Sequence, residues 1–405
     1  MVKRSLLAVL VVAGLILSSG VAKADLTMMK SKFDVTFYGY VKSEVVYHSA
    51  RGFIDNYLVF AYPDAEPYKA QNTLSFTMRQ TRFGFNIVAP GPTEASKVLG
   101  NIEVDFYGKG GQQEQKAALQ LRRAFLMLKY PKWSILAGQE WMLMSPLYPH
   151  VSNYPAQAGI GNLGYRMPQF RFTYGNVWRV ALSAGEKVEN DTTDADFDAG
   201  DNSAVPDMQL QLGYWGKNNL QVILSGHYGE EKYDEGPSSI THEFHDVTFE
   251  SYSYNLSLNV PIGKKLALAG EFYYGANLDG GYTGNVANQG VGIDEDGDRV
   301  AARDIGGWIE LMVKPANKWT IYLGYSEDNP NDDDIEGGVW TAPALTPSGG
   351  VTKNQAYYAH IMYDITDSLR VSLEEMQLRS EYKNDDVHGN DGVIWSTDLA
   401  FWFFF

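Results

Sequence analysis

The chain has 405 residues, 44% of them hydrophobic, with a mean hydropathy of −0.27 and a formal charge of −16 at pH 7. That acidity argues against nucleic acid as a partner, because phosphate backbones are gripped by basic surfaces. Cysteine is absent, which excludes disulfides and thiolate metal sites, while 40 Gly and 26 Tyr favour a β-rich chain full of turns.

At the start of the chain, Lys3-Arg4 precede an apolar run from Leu6 to Leu17, and Ala22-Lys23-Ala24 reads as an A-x-A cleavage site. This pattern predicts a secretory signal peptide over 1–24, cleaved after Ala24. The run is shorter than the ~20 residues a membrane-spanning helix needs, and no second such run follows. Losing Lys3, Arg4 and Lys23 takes the charge from −16 to about −19. Residues 25–32 are then a short periplasmic segment.

From Phe33 onward apolar and polar residues alternate, the period-2 signature of strands with a different environment on each face. In 34–47, Val35, Phe37, Gly39, Val41 and Val45 share one face, and Asp34, Thr36, Tyr40, Lys42 and Glu44 the other. Sixteen such segments are predicted, at roughly 33–47, 74–88, 97–107, 119–130, 132–141, 168–175, 177–187, 207–216, 219–230, 245–260, 265–278, 301–314, 318–327, 355–365, 368–382 and 393–405. Short turns such as Pro131, Asn176 and Thr366-Asp367 alternate with long polar connections. An even number of tilted strands, short turns at one end and long loops at the other describe an all-β, sixteen-stranded antiparallel transmembrane barrel over 33–405. A soluble sandwich would also alternate. It would not be one unbroken meander with Trp133, Trp178, Tyr214, Trp319 and Tyr363 gathered beside the short turns, as an interfacial girdle would be.

The last segment, WSTDLAFWFFF, points Trp395, Thr397, Leu399, Phe401, Phe403 and Phe405 to lipid and Ser396, Asp398 and Ala400 inward. Backbone groups in lipid must all be paired, so this strand is expected to close against the first. A terminal outward aromatic also resembles the signal that bacterial barrel assembly machinery recognises, which gives Phe405 that role and the protein a Gram-negative outer-membrane location. Outer-membrane lipid and lipopolysaccharide are then its surroundings.

Sixteen strands enclose an aqueous channel rather than a side-chain core. Parity turns Arg82, Arg123, Arg171 and Arg179 inward, on the second, fourth, sixth and seventh strands. An arginine facing lipid at mid-depth would cost about 2–4 kcal/mol, so the lumen is where they belong. Four arginines converging on one sector attract anions and can grip carboxylates bidentately. The alternative is that they only balance acids such as Glu44, Glu103 and Asp105. Lys42 joins the expected channel lining, as does Arg166, the one charged residue of the loop 142–167. That proline-bearing loop lies where general porins fold a loop inward, which predicts a constriction.

The loops 189–201, 294–298 and 327–334 are acidic. DEDGD at 294–298 lacks the spacing and final Glu of an EF-hand, and a solvated acidic face is the simpler reading, with bridging divalent ions as the alternative. No Ser/His pair, metal-ligand spacing or phosphate loop supports an enzyme or a cofactor.

The stretches FYGYVKSEVVY (37–47), RQTRFGFNI (79–87), EVDFYG (103–108), LRRAFLML (121–128) and LAGQEW (136–141) resemble the DcaP-like family of trimeric dicarboxylate porins of Gram-negative bacteria. The resemblance covers the first third of the chain well and the rest in strand rhythm. It implies a trimeric sixteen-stranded channel for small anions, including dicarboxylates, with Arg82 and Arg123 at the family's basic constriction positions. A sugar- or phosphate-selective porin, favoured by inward Tyr38, Tyr40, Tyr273, Tyr322 and Tyr358, and a non-conducting structural or adhesive barrel remain open alternatives.

Overall fold

The computed structural model describes residues 33–405 apart from 55, 65–70, 109–116, 155, 187–202, 234–246, 280, 281, 283, 285–289, 294–298, 336–338, 341–350 and 383–390. The expected signal peptide, the segment 25–32 and the acidic loops 189–201 and 294–298 lie outside the described residues.

One closed antiparallel barrel contains the long strands. In chain order they are β1 (Asp34–His48), β2 (two segments, Thr73–Thr77 and Arg82–Pro90), β3 (Lys97–Gly108), β4 (Ala118–Lys129), β5 (Trp133–Trp141), β6 (Arg166–Gly175), β7 (Trp178–Gly185) and β8 (Asp207–Trp215). The second half comprises β9 (Gln221–Tyr233), β10 (Val247–Ile262), β11 (Leu266–Ala276), β12 (Arg303–Val313), β13 (Trp319–Pro330), β14 (Val351–Asp364), β15 (Leu369–Tyr382) and β16 (Gly392–Phe404). Each strand pairs with its sequence neighbours, and β16 closes on β1 from His48↔Ser396 to Tyr40↔Phe404. The sixteen strands coincide with the sixteen alternating segments, because alternation and hairpin spacing both encode a meander. Phe405 completes the closure. Its backbone N–H and C=O pair with Gly39 at 3.1 and 3.0 Å, and its ring stacks 4.9 Å from Phe37.

Burial is inverted relative to a soluble domain. Phe76, Leu126, Phe170, Trp178 and Tyr254 are exposed on the outer face, whereas Glu310, Glu374, His360 and Asp398 are buried inside. A lipid-facing band requires this arrangement, in which inward residues largely alternate with apolar outward ones. Aromatic pairs Tyr130–Trp133, Trp178–Tyr214 and Trp319–Tyr363, with centroids 4.2, 4.8 and 4.7 Å apart, sit beside the short turns. This is the girdle of the short-turn end.

The connection from β5 to β6, residues 142–165, runs inside the barrel along its wall. Leu143 N–H donates to Gln209 on β8 (2.6 Å), and Ser225 on β9 donates to the Met144 carbonyl (2.7 Å). Ser145 and the Leu147 N–H bind Glu271 on β11 at 2.5 and 2.8 Å, and the His150 N–H binds Glu310 on β12 at 2.8 Å. Ser152 and Asn153 N–H reach Glu374 on β15 at 2.5 and 3.3 Å. The chain then returns, its Gly159 carbonyl accepting from Asn354 on β14 at 2.8 Å. Loop N–H groups that would otherwise be buried without partners are thus satisfied by wall carboxylates. The expected constriction loop is inside.

Candidate functional site

The site is built on β2 to β6, and two irregularities shape it. Between the segments of β2, residues 78–81 leave the ladder opposite Val41 to Ser43, and both Arg79 and Gln80 are buried on the inner side while Met78 is exposed outside. On β4 the register against β3 jumps from Glu103↔Arg123 to Val104↔Leu121. This β-bulge turns Arg122 and Arg123 to the same, inner side, while Leu121 and Leu126 face out. Strict alternation would have sent Arg122 to lipid. Its inward position, and that of Arg79, were missed because parity assumes an unbroken register.

Counting Arg79 in the break, β2 to β6 carry six arginines against three carboxylates, Glu103, Asp105 and Glu140. Arg122 is buried, with Nε 2.9 Å from Glu103 and Nη1 2.6 Å from Asp105. Arg82 lies 3.7 Å from Glu103 and over the Tyr40 ring at 5.5 Å, its side chain 23% exposed. Arg123 binds Glu140 through Nε (3.0 Å) and Nη2 (2.5 Å), its side chain 28% exposed. Arg171 donates to Gln169 at 2.9 and 3.1 Å and to the Trp141 carbonyl. Arg82, Arg123 and Arg171 are therefore the partly exposed, inward-facing arginines among the described residues of this wall.

Other expected lining residues fall elsewhere. Lys42 is fully buried, with Nζ 2.6 Å from Glu44, 3.0 Å from both oxygens of Ser152 and 4.3 Å over the Trp402 ring. Glu44 accepts from Asn56 (2.8 Å) and Ser152 (3.2 Å), and among the described residues its ion pair is with Lys42 rather than with an arginine. The pair clamps the constriction loop to β1, so Glu44 does not balance the arginine sector and neither residue is exposed to solvent. Arg179 also departs from expectation. It is the second residue of β7, beside the short turn, where its Nε donates to the Asn176 carbonyl (2.7 Å) and its guanidinium covers Trp215 at 4.2 Å. Its place at the turn keeps it out of the cluster. Arg166 opens β6 rather than belonging to the loop, and is buried against Trp141 and Tyr165 at 5.0 and 4.3 Å.

The loop lines the same interior. His150 carries the exposed edge, its ring stacked 4.3 Å from Tyr322 and its Nδ1 2.8 Å from Glu310. Burial pushes the Tyr148 and Tyr154 hydroxyls well up from the ordinary phenol range, so both remain neutral hydrogen-bonding groups. Tyr154 stacks on Tyr107 at 3.8 Å and donates to Gln120 at 3.1 Å, joining loop to wall. The inward tyrosines at 273 and 358 are buried in wall contacts with Asp328 and Glu310, and Tyr322 is buried beneath His150 of the loop. Of the acidic segment 327–334, Glu327 and Asp334 pair with Lys353 (3.4 Å) and Arg303 (2.6 Å).

A closed sixteen-stranded barrel with a loop folded against its inner wall is the architecture of outer-membrane porins. The chain is similar in fold to the outer membrane channel DcaP of Acinetobacter baumannii, with a TM-score of 0.72 and 18% identity over 94% of this chain and 100% of that one. An anion-selective porin from Comamonas acidovorans gives a TM-score of 0.59 at 10% identity, covering 92% of this chain and 100% of that one. Salmonella typhi OmpF gives 0.57 at 11% identity, with 92% and 98% covered. No protein-family model and no curated protein sequence matches the chain.

Proposed function

We propose that this protein is an outer-membrane porin through which small hydrophilic solutes diffuse passively, with a preference for anions such as dicarboxylates. The observation that carries the reading is the excess of arginine on β2 to β6, with Arg82, Arg123 and Arg171 partly exposed toward the lumen. Fixed guanidinium groups in a narrow aqueous path raise local anion concentration and meet a carboxylate at close range. Two or more of them at different heights suit a solute with two carboxylates. Glu103 and Glu140 partly offset these charges and leave a positive surplus, which tempers binding enough for the solute to leave. Assembly as a homotrimer, with outer-membrane lipid and lipopolysaccharide around it, belongs to the same reading, as does insertion by the barrel assembly machinery through Phe405.

Liposome swelling tests it. Vesicles carrying the protein should admit a four-carbon dicarboxylate faster than a neutral sugar of similar size. Equal or slower dicarboxylate entry would favour the sugar-porin reading, and no entry of either solute would favour a structural barrel.

A further inference from the structure

The two strands that frame the arginine cluster part company in the wall. Backbone pairing between β4 and β5 runs only from Lys129↔Ser134 up to Ala124↔Gln139. Above that point β5 stays with β6 as far as Trp141↔Arg166, while β4 stays with β3 through the bulge at Leu121 to Arg123. Gly138 makes the parting possible. Its φ of +126° is one that side-chain-bearing residues rarely adopt, and a Cβ there would run into the Ala124 carbonyl oxygen.

Parting leaves β4 carbonyls without a backbone partner on the β5 side, and an apolar surrounding would supply no donor in its place. Gln139 fills the gap. It shares the outward parity of Ile135, which is 45% exposed, and its side-chain Nε2 donates to the Leu121 carbonyl at 2.8 Å and the Arg122 carbonyl at 3.1 Å. A polar amide on the outer face is thus bonded across the seam to the two carbonyls that define the bulge. On the inner face the same seam is bridged by Arg123 to Glu140.

We propose that Gln139 is a positioning residue of the permeation path: its amide replaces the missing backbone ladder, fixes the β4 bulge, and thereby holds both Arg122 and Arg123 toward the lumen. The residue touches no solute and acts through the arginines. The proposal rests on the anion-porin reading for its biological meaning, but not for its measurement.

Reversal potentials in a potassium chloride gradient test it, on wild type, Gln139→Met, Arg122→Gln/Arg123→Gln, and the triple variant. Methionine keeps length and removes both donors. The expected result is a fall of about two- to threefold in the anion-to-cation permeability ratio for Q139M. No further fall is expected when Q139M is added to the arginine variant, since residues acting as one unit are not additive. An unchanged ratio in Q139M, or an equal fall in the arginine background, would overturn the inference. If methionine prevents assembly, Gln139→Glu, which cannot donate when ionised, is judged by the same two outcomes. Failure of both to assemble would also overturn it, because Gln139 would then be holding up the wall rather than tuning it. A wild-type channel that favours cations would remove the anion reading alone, and a Q139M shift further toward cations would still support the positioning role.

Discussion

The walls of this barrel differ in kind. The β8 to β15 side keeps an unbroken register over most of its length and meets the constriction loop with carboxylates, Glu271, Glu310 and Glu374. The β2 to β6 side is broken at residues 78–81, bulged at Leu121 to Arg123 and parted above Gln139, and it carries the cluster of Arg79, Arg82, Arg122, Arg123 and Arg171. Regular ladder supplies a place to fasten the loop. Irregular ladder supplies what a period-2 strand cannot, two consecutive side chains on one face.

The largest effect should come from removing the exposed cations. Arg82→Ala together with Arg123→Ala should lower the anion-to-cation permeability ratio by about fivefold or more, with neutral-solute entry similar or faster, read by reversal potential and liposome swelling. Attacking the opposite wall should do something different. Glu271→Ala with Glu374→Ala strips acceptors from Leu147, Ser152 and Asn153 N–H groups, at about 1–3 kcal/mol for each buried donor left unpaired. The loop should loosen, giving larger and noisier single-channel conductance with little change in ion preference. If these glutamates changed selectivity as much as the arginines do, the division of labour between walls would be wrong.

Deleting Phe405 touches the seam where β16 meets β1. It should lower the yield of heat-modifiable, assembled barrels while leaving the conductance of those that do assemble unchanged. The smallest effect belongs to Arg179→Ala, whose side chain is occupied by the Asn176 carbonyl and Trp215 beside the short turn. Permeability ratios within experimental scatter of wild type are expected there. A loss as large as that of Arg123 would place the selective region at the wrong end of the channel.

Strand number, strand order, the inward loop and the closure on Phe405 were all legible in the sequence, because alternation, turn spacing and lipid exclusion leave few other solutions. So were the inward positions of Arg171, in a strand of regular register, and of Arg82, which opens the regular segment after the break in β2. The bulges were not, and with them went Arg79 and Arg122. A usable signal was present. Two adjacent arginines in a spanning strand cannot both obey alternation without putting one in lipid, at about 2–4 kcal/mol, so the Arg122-Arg123 doublet itself argues for a bulge. What parity could never show is which inward residue is covered. Lys42 and Glu44 face inward as expected, yet they are enclosed by Ser152 of a loop more than a hundred positions away in the chain.

Net charge and local charge give opposite forecasts, and this conflict offers the most direct test. The formal charge of −16 over the full sequence would make a cation channel if bulk charge ruled. Exposed loop acids are screened over roughly 8 Å at physiological ionic strength, whereas arginines in a narrow lumen are screened much less. Single wild-type channels, recorded in a planar bilayer under a potassium chloride gradient, should therefore reverse at a potential of the sign set by chloride. A reversal potential of the potassium sign would contradict the account.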